Sequence, residues 1–232
     1  MKLYTQLLII CALSSLSAAA QDKERITVKA GSDVKEVMAT KIYQYPEFVD
    51  GLVMYKNGNA SAGKMNYNRL SATIEFLTQE GDTLVLDDEK TIRWVTLKEK
   101  DTFFFDKLYL QLLKSGSPLK LAKNERFRVA DQQKIGAYGQ PSSSASIAAY
   151  NSVSDGMRRV HLDVRKDVIL VRHVTLYLGD RFNNYLPANR KSLLKFLPEK
   201  ESKIKRYLNE HEVNFSNAEQ VEKLLAHLEI SE

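Results

Sequence analysis

Residues 51–68 read GLVMYKNGNASAGKMNYN, and this stretch decides the fold. Leu52-Val-Met-Tyr55 is a run of β-prone side chains that leads into Asn57-Gly58. That dipeptide is a strong hairpin signal, because Asn and Gly both tolerate the positive φ of a tight two-residue turn. Lys64-Met-Asn-Tyr67 supplies the returning strand. Ala72, Ile74 and Phe76 then alternate with Thr73 and Glu75, which predicts one dry face and one wet face.

The same grammar runs on in both directions. Glu80-Gly81-Asp82 turns the chain into Thr83-Leu-Val-Leu86, and Asp87-Asp88-Glu89 turns it again into Ile92-Arg-Trp-Val-Thr-Leu97. Phe103 to Phe105 and Tyr109 to Leu113 continue the series, and Phe127 and Val129 alternate with Arg126 and Arg128. Short strands at this spacing predict an antiparallel β-meander over 45–130, curled into a small barrel or a sandwich. Gly136, Gly139, Pro141 and Ser142 to Ser144 break the pattern, so 131–160 reads as a Gly/Ser-rich loop or linker. Strand character returns in Val168 to Val171 and again in Val174 to Leu178, which predicts a β-hairpin within 161–185.

The tail, 186–232, reads as helical. Pro198 suits a helix first turn, where its missing N–H would be unpaired anyway. Ile204, Tyr207 and Leu208 form one buried stripe. Ser216 with Glu219 three residues on makes a capping box, and Val221, Leu224, Leu225 and Leu228 recur at helical spacing behind it. Two greasy-sided helices need a surface to cover, and the β region is the one available. The fold class expected is therefore α+β, with C-terminal helices packed on the meander.

Composition sets the outer limits. The chain has 232 residues, 44% apolar and 27% charged, so it can bury a core and is neither a disordered tail nor a fibrous rod. Residues 1–20 have one charge, Lys2, an apolar run from Leu7 to Leu13, and Ala18-Ala-Ala20 at the end, the three parts of a secretory signal peptide. Cleavage after Ala20 would start the mature chain at Gln21, with 21–44 as a leader to the sheet. Cys11 is the one cysteine, and bulky Ile10 before it argues against a lipoprotein anchor. The mature chain would then form no disulfide and hold no thiolate metal site.

Removing Lys2 from 34 basic residues leaves 33 against 29 acidic, a net charge of +4 with no long basic tract. That spread favours solubility and gives no footprint for nucleic acid. No mature stretch is long and apolar enough for a transmembrane segment. The expected location is the periplasm, the extracellular space or the cell surface.

Motifs that carry chemistry are sparse. His161, His173, His211 and His227 fall in different elements, and no pair has the i, i+4 spacing of a zinc helix. His161-Leu-Asp163 would place an imidazole and a carboxylate on one strand face, as a hydrolase could use; an exposed polar strand face has the same pattern. Asp87, Asp88 and Glu89 form an acidic run without calcium-loop spacing, and a solvated turn accounts for them. No phosphate loop or nucleophile elbow occurs, so the sequence calls for no cofactor, no metal and no assigned catalytic residue.

Asn66, Tyr67 and Asn68 are the most distinctive polar group. With Trp94, Tyr43 and Tyr45 they could form an aromatic–amide surface for a glycan or peptide. The competing reading has Asn66 and Asn68 closing backbone bonds at a bulge while Tyr67 packs inward. The function expected is an exported non-catalytic module binding an envelope protein, glycan or peptide. The alternative is a periplasmic hydrolase using carboxylates or His161 and Asp163.

Tyr45-Pro-Glu-Phe48, Gly51-Leu-Val-Met-Tyr-Lys-Asn-Gly58 and Lys64-Met-Asn-Tyr-Asn68 together resemble a recurrent exported family of the Bacteroidota. Its members read G-x-V-x-x-K-x-G, then L-N-Y-N, then a Gly-Asp turn; Met65 stands here in place of the Leu. Pro187 to Pro198, Asn214-Phe215 and the Leu-rich close look like the same family's tail. The resemblance implies export and a β region with a helical tail, and it transfers no activity or catalytic residue.

Overall fold

The computed structural model describes residues 24–29, 41–116, 118–132, 134–135, 141–142 and 168–229. Strand β1 (Arg25–Val28) is followed by the hairpin of β2 (Val49–Tyr55) and β3 (Ala60–Asn68). Then come β4 (Thr73–Leu77), β5 (Thr83–Val85), β6 (Ile92–Leu97), β7 (Asp101–Asp106), β8 (Leu108–Lys114) and β9 (Lys120–Gln132). A small pair, β10 (Lys134–Ile135) and β11 (Pro141–Ser142), precedes the long β12 (Val168–Gly179) and short β13 (Tyr185–Pro187). Helices α1 (Arg190–Phe196), α2 (Glu201–Glu210) and α3 (Ala218–Glu229) end the described chain.

The strands form one antiparallel sheet in the order β1-β12-β9-β8-β7-β6-β2-β3-β4-β5, with β13 added to β12. The order is a meander with one return: the chain runs outward from β2 to β5, then comes back to lay β6 on the free side of β2. The first hairpin forms at Asn57-Gly58, but with a three-residue loop. Tyr55 N–H bonds Asn59 O at 2.9 Å and Gly58 N–H bonds Tyr55 O at 3.1 Å. Gly58 alone takes the left-handed conformation, at φ 91°, which is why glycine is needed there.

The sheet is open but curls on itself. Past the pair Gln111 and Lys123, β9 has no strand partner on the β8 side among the described residues, and the turn after β3 lies along that edge. Phe127 N–H donates to Arg69 O at 2.8 Å across this seam. Inside the curl, Val53, Ile74, Val95, Leu97, Phe103 and Tyr67 form one core. At the other end, Leu121, Leu176 and Leu178 of β9 and β12 pack against Leu193, Ile204, Leu224 and Leu228 of the helices. The expected α+β arrangement, with C-terminal helices on a β-meander, is the one observed.

Several details differ from the sequence reading. Val168 to Leu178 is one continuous strand, not a hairpin, and every residue of β12 but the bulge at Ile169/Leu170 keeps register with β9. The polar pair Arg172-His173 that broke the apolar run is no turn: Arg172 serves as an ion-pair partner within the strand. The hairpin of this region is β12–β13, turned by Asp180, whose Oδ1 accepts from Phe182 N at 2.8 Å and Asn184 N at 2.9 Å.

The wet face expected of β4 is not wet, since Thr73 is 1% and Glu75 8% exposed. The leader supplies an edge strand, β1, beside β12. The tail holds a third helix, α1, capped by Asn189, whose Oδ1 accepts from Ser192 N at 2.8 Å. Asn217, not Ser216, caps α3, accepting from Gln220 N at 3.2 Å. Among the described residues no helix is long and apolar enough to cross a membrane. The signal-peptide reading of 1–20, Cys11 and most of 131–160 lie outside the described residues.

Candidate functional site

Asn66 is completely buried, and its amide fills a gap in the β2 side of the sheet. Ahead of β2, the chain continues alongside β3: Arg69 N–H bonds Ile42 O at 2.8 Å and Gln44 N–H bonds Tyr67 O at 2.9 Å. Between these bonds and Val49 it loops out around Pro46. Asn66 Nδ2 donates into the loop, to Tyr45 O at 2.8 Å and Glu47 O at 3.0 Å. Its Oδ1 accepts from Tyr45 N at 3.1 Å and Tyr67 N at 2.9 Å. Both donors and both lone pairs are therefore used inside the chain.

Asn68 and Tyr67 are equally committed. Asn68 Oδ1 accepts from Leu70 N at 2.9 Å and Ser71 N at 3.2 Å, which shapes the turn that puts Ala72 at φ 58°. Asn68 Nδ2 donates to Glu75 Oε1 at 2.8 Å, and Tyr43 OH donates to Glu75 Oε2 at 2.6 Å. The Tyr67 ring stacks on Phe103 at 5.1 Å. Its hydroxyl donates to Glu125 O at 3.0 Å and accepts from Asn124 Nδ2 at 3.3 Å. Burial, reinforced by the Glu125 charge, pushes that hydroxyl's pKa up. Tyr45 OH bonds Asp101 Oδ2, which also accepts from Gln44 Nε2 at 2.8 Å.

The strongest charge cluster sits on the seam and centres on Glu125, which is 6% exposed. Arg172 Nε lies 2.9 Å from its carboxylate, Lys123 Nζ 2.7 Å and Arg69 Nε 3.2 Å. Burial alone would raise the Glu125 pKa, but the hydrogen bonds from Arg172 and Lys123 and the nearby positive charges outweigh it and hold it at about 2. A carboxylate so firmly ionised is mismatched to proton transfer near neutral pH. It acts here as the centre of a clasp between β9, β12 and the β3–β4 turn.

Trp94 occupies a different position. On the outer face of the sheet it stands opposite Met54, which in turn stands opposite Ala60; Leu52 stands between Thr96 and Ala62. Trp94 and Met54 are half-buried, and Leu52 is 37% exposed. Asn66 shares this face, but it aligns with the start of β2 and Trp94 with its end, about 20 Å apart at the ordinary strand rise. The six residues singled out from sequence thus split: Asn66, Tyr67 and Asn68 are internal, Tyr43 and Tyr45 bond Glu75 and Asp101, and Trp94 belongs to an apolar outer surface.

His161 and Asp163 lie outside the described residues. His211 and His227 both rest on the ring of Tyr207, at 4.3 and 4.7 Å between centroids. Among the described residues no group of His, Cys, Asp and Glu is placed to hold a metal ion. The Glu125 clasp and the Tyr43–Glu75 and Tyr45–Asp101 bonds were not legible in the sequence. The one local hint was an acidic residue between the basic pair Lys123 and Arg126 in an otherwise strand-like run. Comparison of the chain with protein-family models, curated proteins and solved structures finds no match.

Proposed function

We propose that this chain is an exported, non-catalytic binding module whose outer sheet face engages an envelope protein, a glycan or a peptide. The observation that carries the reading is the row of apolar side chains, Leu52, Met54 and Trp94, set on the solvent side of β2 and β6. Apolar groups gathered on an open face are the ordinary mark of an interaction surface. The internal commitment of Asn66, Tyr67, Asn68 and Glu125 gives that face a rigid base. Export rests on the signal-peptide pattern of 1–20 and on the Bacteroidota resemblance.

A photo-crosslinking side chain at position 52, in cells that make the protein, tests the reading against the same group at the exposed position 195 on α1. The expected result is a discrete adduct from position 52 that position 195 does not give and that Trp94→Ala weakens. Identical adducts from both positions, or none from 52, would rule it out.

A further inference from the structure

We infer that the free edge of β3 between Ala60 and Lys64 is a strand-addition site that takes an extended segment of another polypeptide, an inference that rests on the binding-module reading. β3 pairs with β2 from Ala60 to Met65, but with β4 only from Met65 to Asn68. Among the described residues its first five, Ala60 to Lys64, therefore have a strand neighbour on one side alone, and all five are exposed.

The pairing pattern identifies which backbone groups are open. The bond from Tyr55 N–H to Asn59 O sets the phase of the hairpin. Hydrogen-bonded pairs alternate along an antiparallel ladder, so Val53/Ser61 and Gly51/Gly63 exchange bonds with β2. The N–H and C=O groups of Ala60, Ala62 and Lys64 then point away from β2, in the same phase as Asn66 and Asn68, which face β4.

Natural sheets blunt such edges with proline, bulges, inward charges or charged side chains, lysine above all. This edge reads Ala-Ser-Ala-Gly-Lys, its register with β2 is unbroken, and its one charge, Lys64, is held by Asp50 at 2.9 Å on the neighbouring strand. Gly63 adds no bulk to the stretch: a Cβ there would lie on the face that Met65 shares and meet only the Met65 methyl, at 3.8 Å.

Donors and acceptors at strand spacing are matched by an extended backbone, which makes recognition main-chain in character. The side chains of an added strand would lie beside Ala60 and Ala62, whose partners across the hairpin are Met54 and Leu52. Small or medium apolar residues at alternate positions fit there. A second copy paired through so short an edge would bury far less than the roughly 1,200 Å² of a stable interface, so a peptide segment is the occupant assigned.

Selection of unconstrained peptides from a display library on the full chain tests this, with the tightest peptide then studied by amide hydrogen exchange. The account expects slowed exchange at Ala60, Ala62 and Lys64. Ala62→Pro, which removes an edge donor at a position where strands tolerate proline, is expected to weaken binding on the order of tenfold or more. Ala62→Val keeps the donor and should keep the binding. Should Ala62→Pro misfold, N-methylation of alternate residues in the peptide removes the same bonds with the protein intact, and should abolish binding.

No selected binder, protection confined to residues away from the edge, or indifference to both proline and N-methylation would overturn the proposal. Concentration-dependent dimerisation that protects these amides without peptide would also overturn it, assigning the edge to a second copy. Peptides that protect the outer-face residues Leu52, Met54 and Trp94 but ignore the edge would remove this site and leave the binding-module reading standing.

Discussion

Asn66 is closed inside the sheet, 0% exposed, whereas Trp94 stands on the outer face opposite Met54, so substitutions at the two act differently. Asn66→Ala would leave Tyr45 N–H and the carbonyls of Tyr45 and Glu47 without their partner inside a closed site. The expected loss is about 2–3 kcal/mol by chemical denaturation. Trp94→Ala, on the open face, should lose no more than about 1 kcal/mol while weakening the crosslink from position 52. Glu125 adds a pH signature. Its folded pKa of about 2 lies below its ordinary 4.5, so its stabilisation is complete above 4.5 and fades as pH falls toward 2. Glu125→Gln should flatten that part of the stability–pH curve and remove on the order of 2 kcal/mol at neutral pH. Arg172, 39% exposed, shares its charge with water, which limits what the pair contributes.

At the scale of elements, what was read correctly was what local periodicity encodes. Ile92 to Leu97, Phe103 to Phe105 and the Val221 to Leu228 stripe carry their own period, and each became the expected element. Two of the differences share a cause, side chains whose partners are far along the chain. Arg172 lies between the two apolar runs Val168 to Val171 and Val174 to Leu178, and the partner that fixes it within one strand, Glu125, is 47 residues away and invisible to a local window. Glu75 looked solvent-facing because Tyr43, 32 residues back, covers it. The same reasoning predicts how the tail holds on. Leu224→Ala empties a fully buried site between α3 and the sheet and should cost about 2–5 kcal/mol. Asn217→Ala, which removes the α3 cap, should cost about 1 kcal/mol. Gly179→Ala would drive a methyl into the Tyr185 ring, so it should destabilise β13 on β12 more than a surface change does.

Across the whole molecule, the curl of the sheet makes the rest possible. The β3–β4 turn seals the free edge of β9 through one backbone bond, the Tyr67 hydroxyl and the Glu125 clasp. That closure buries Tyr67, the segment ahead of β2 encloses Asn66, and the outer face and the first half of β3 stay exposed. Sequence pattern indicated that the strands would curl but carried no sign of where the seam would fall, since its partners are separated by 58 residues. If the export reading holds, mass spectrometry of the secreted protein will find its first residue at Gln21.

The seam itself is open to direct observation at a single amide. Native-state hydrogen exchange at Phe127, whose N–H reaches Arg69 O, should report protection close to that of global unfolding, reduced in Tyr67→Phe and Glu125→Gln. Exchange at the rate of an exposed strand edge, unaffected by either substitution, would mean that the sheet does not close there.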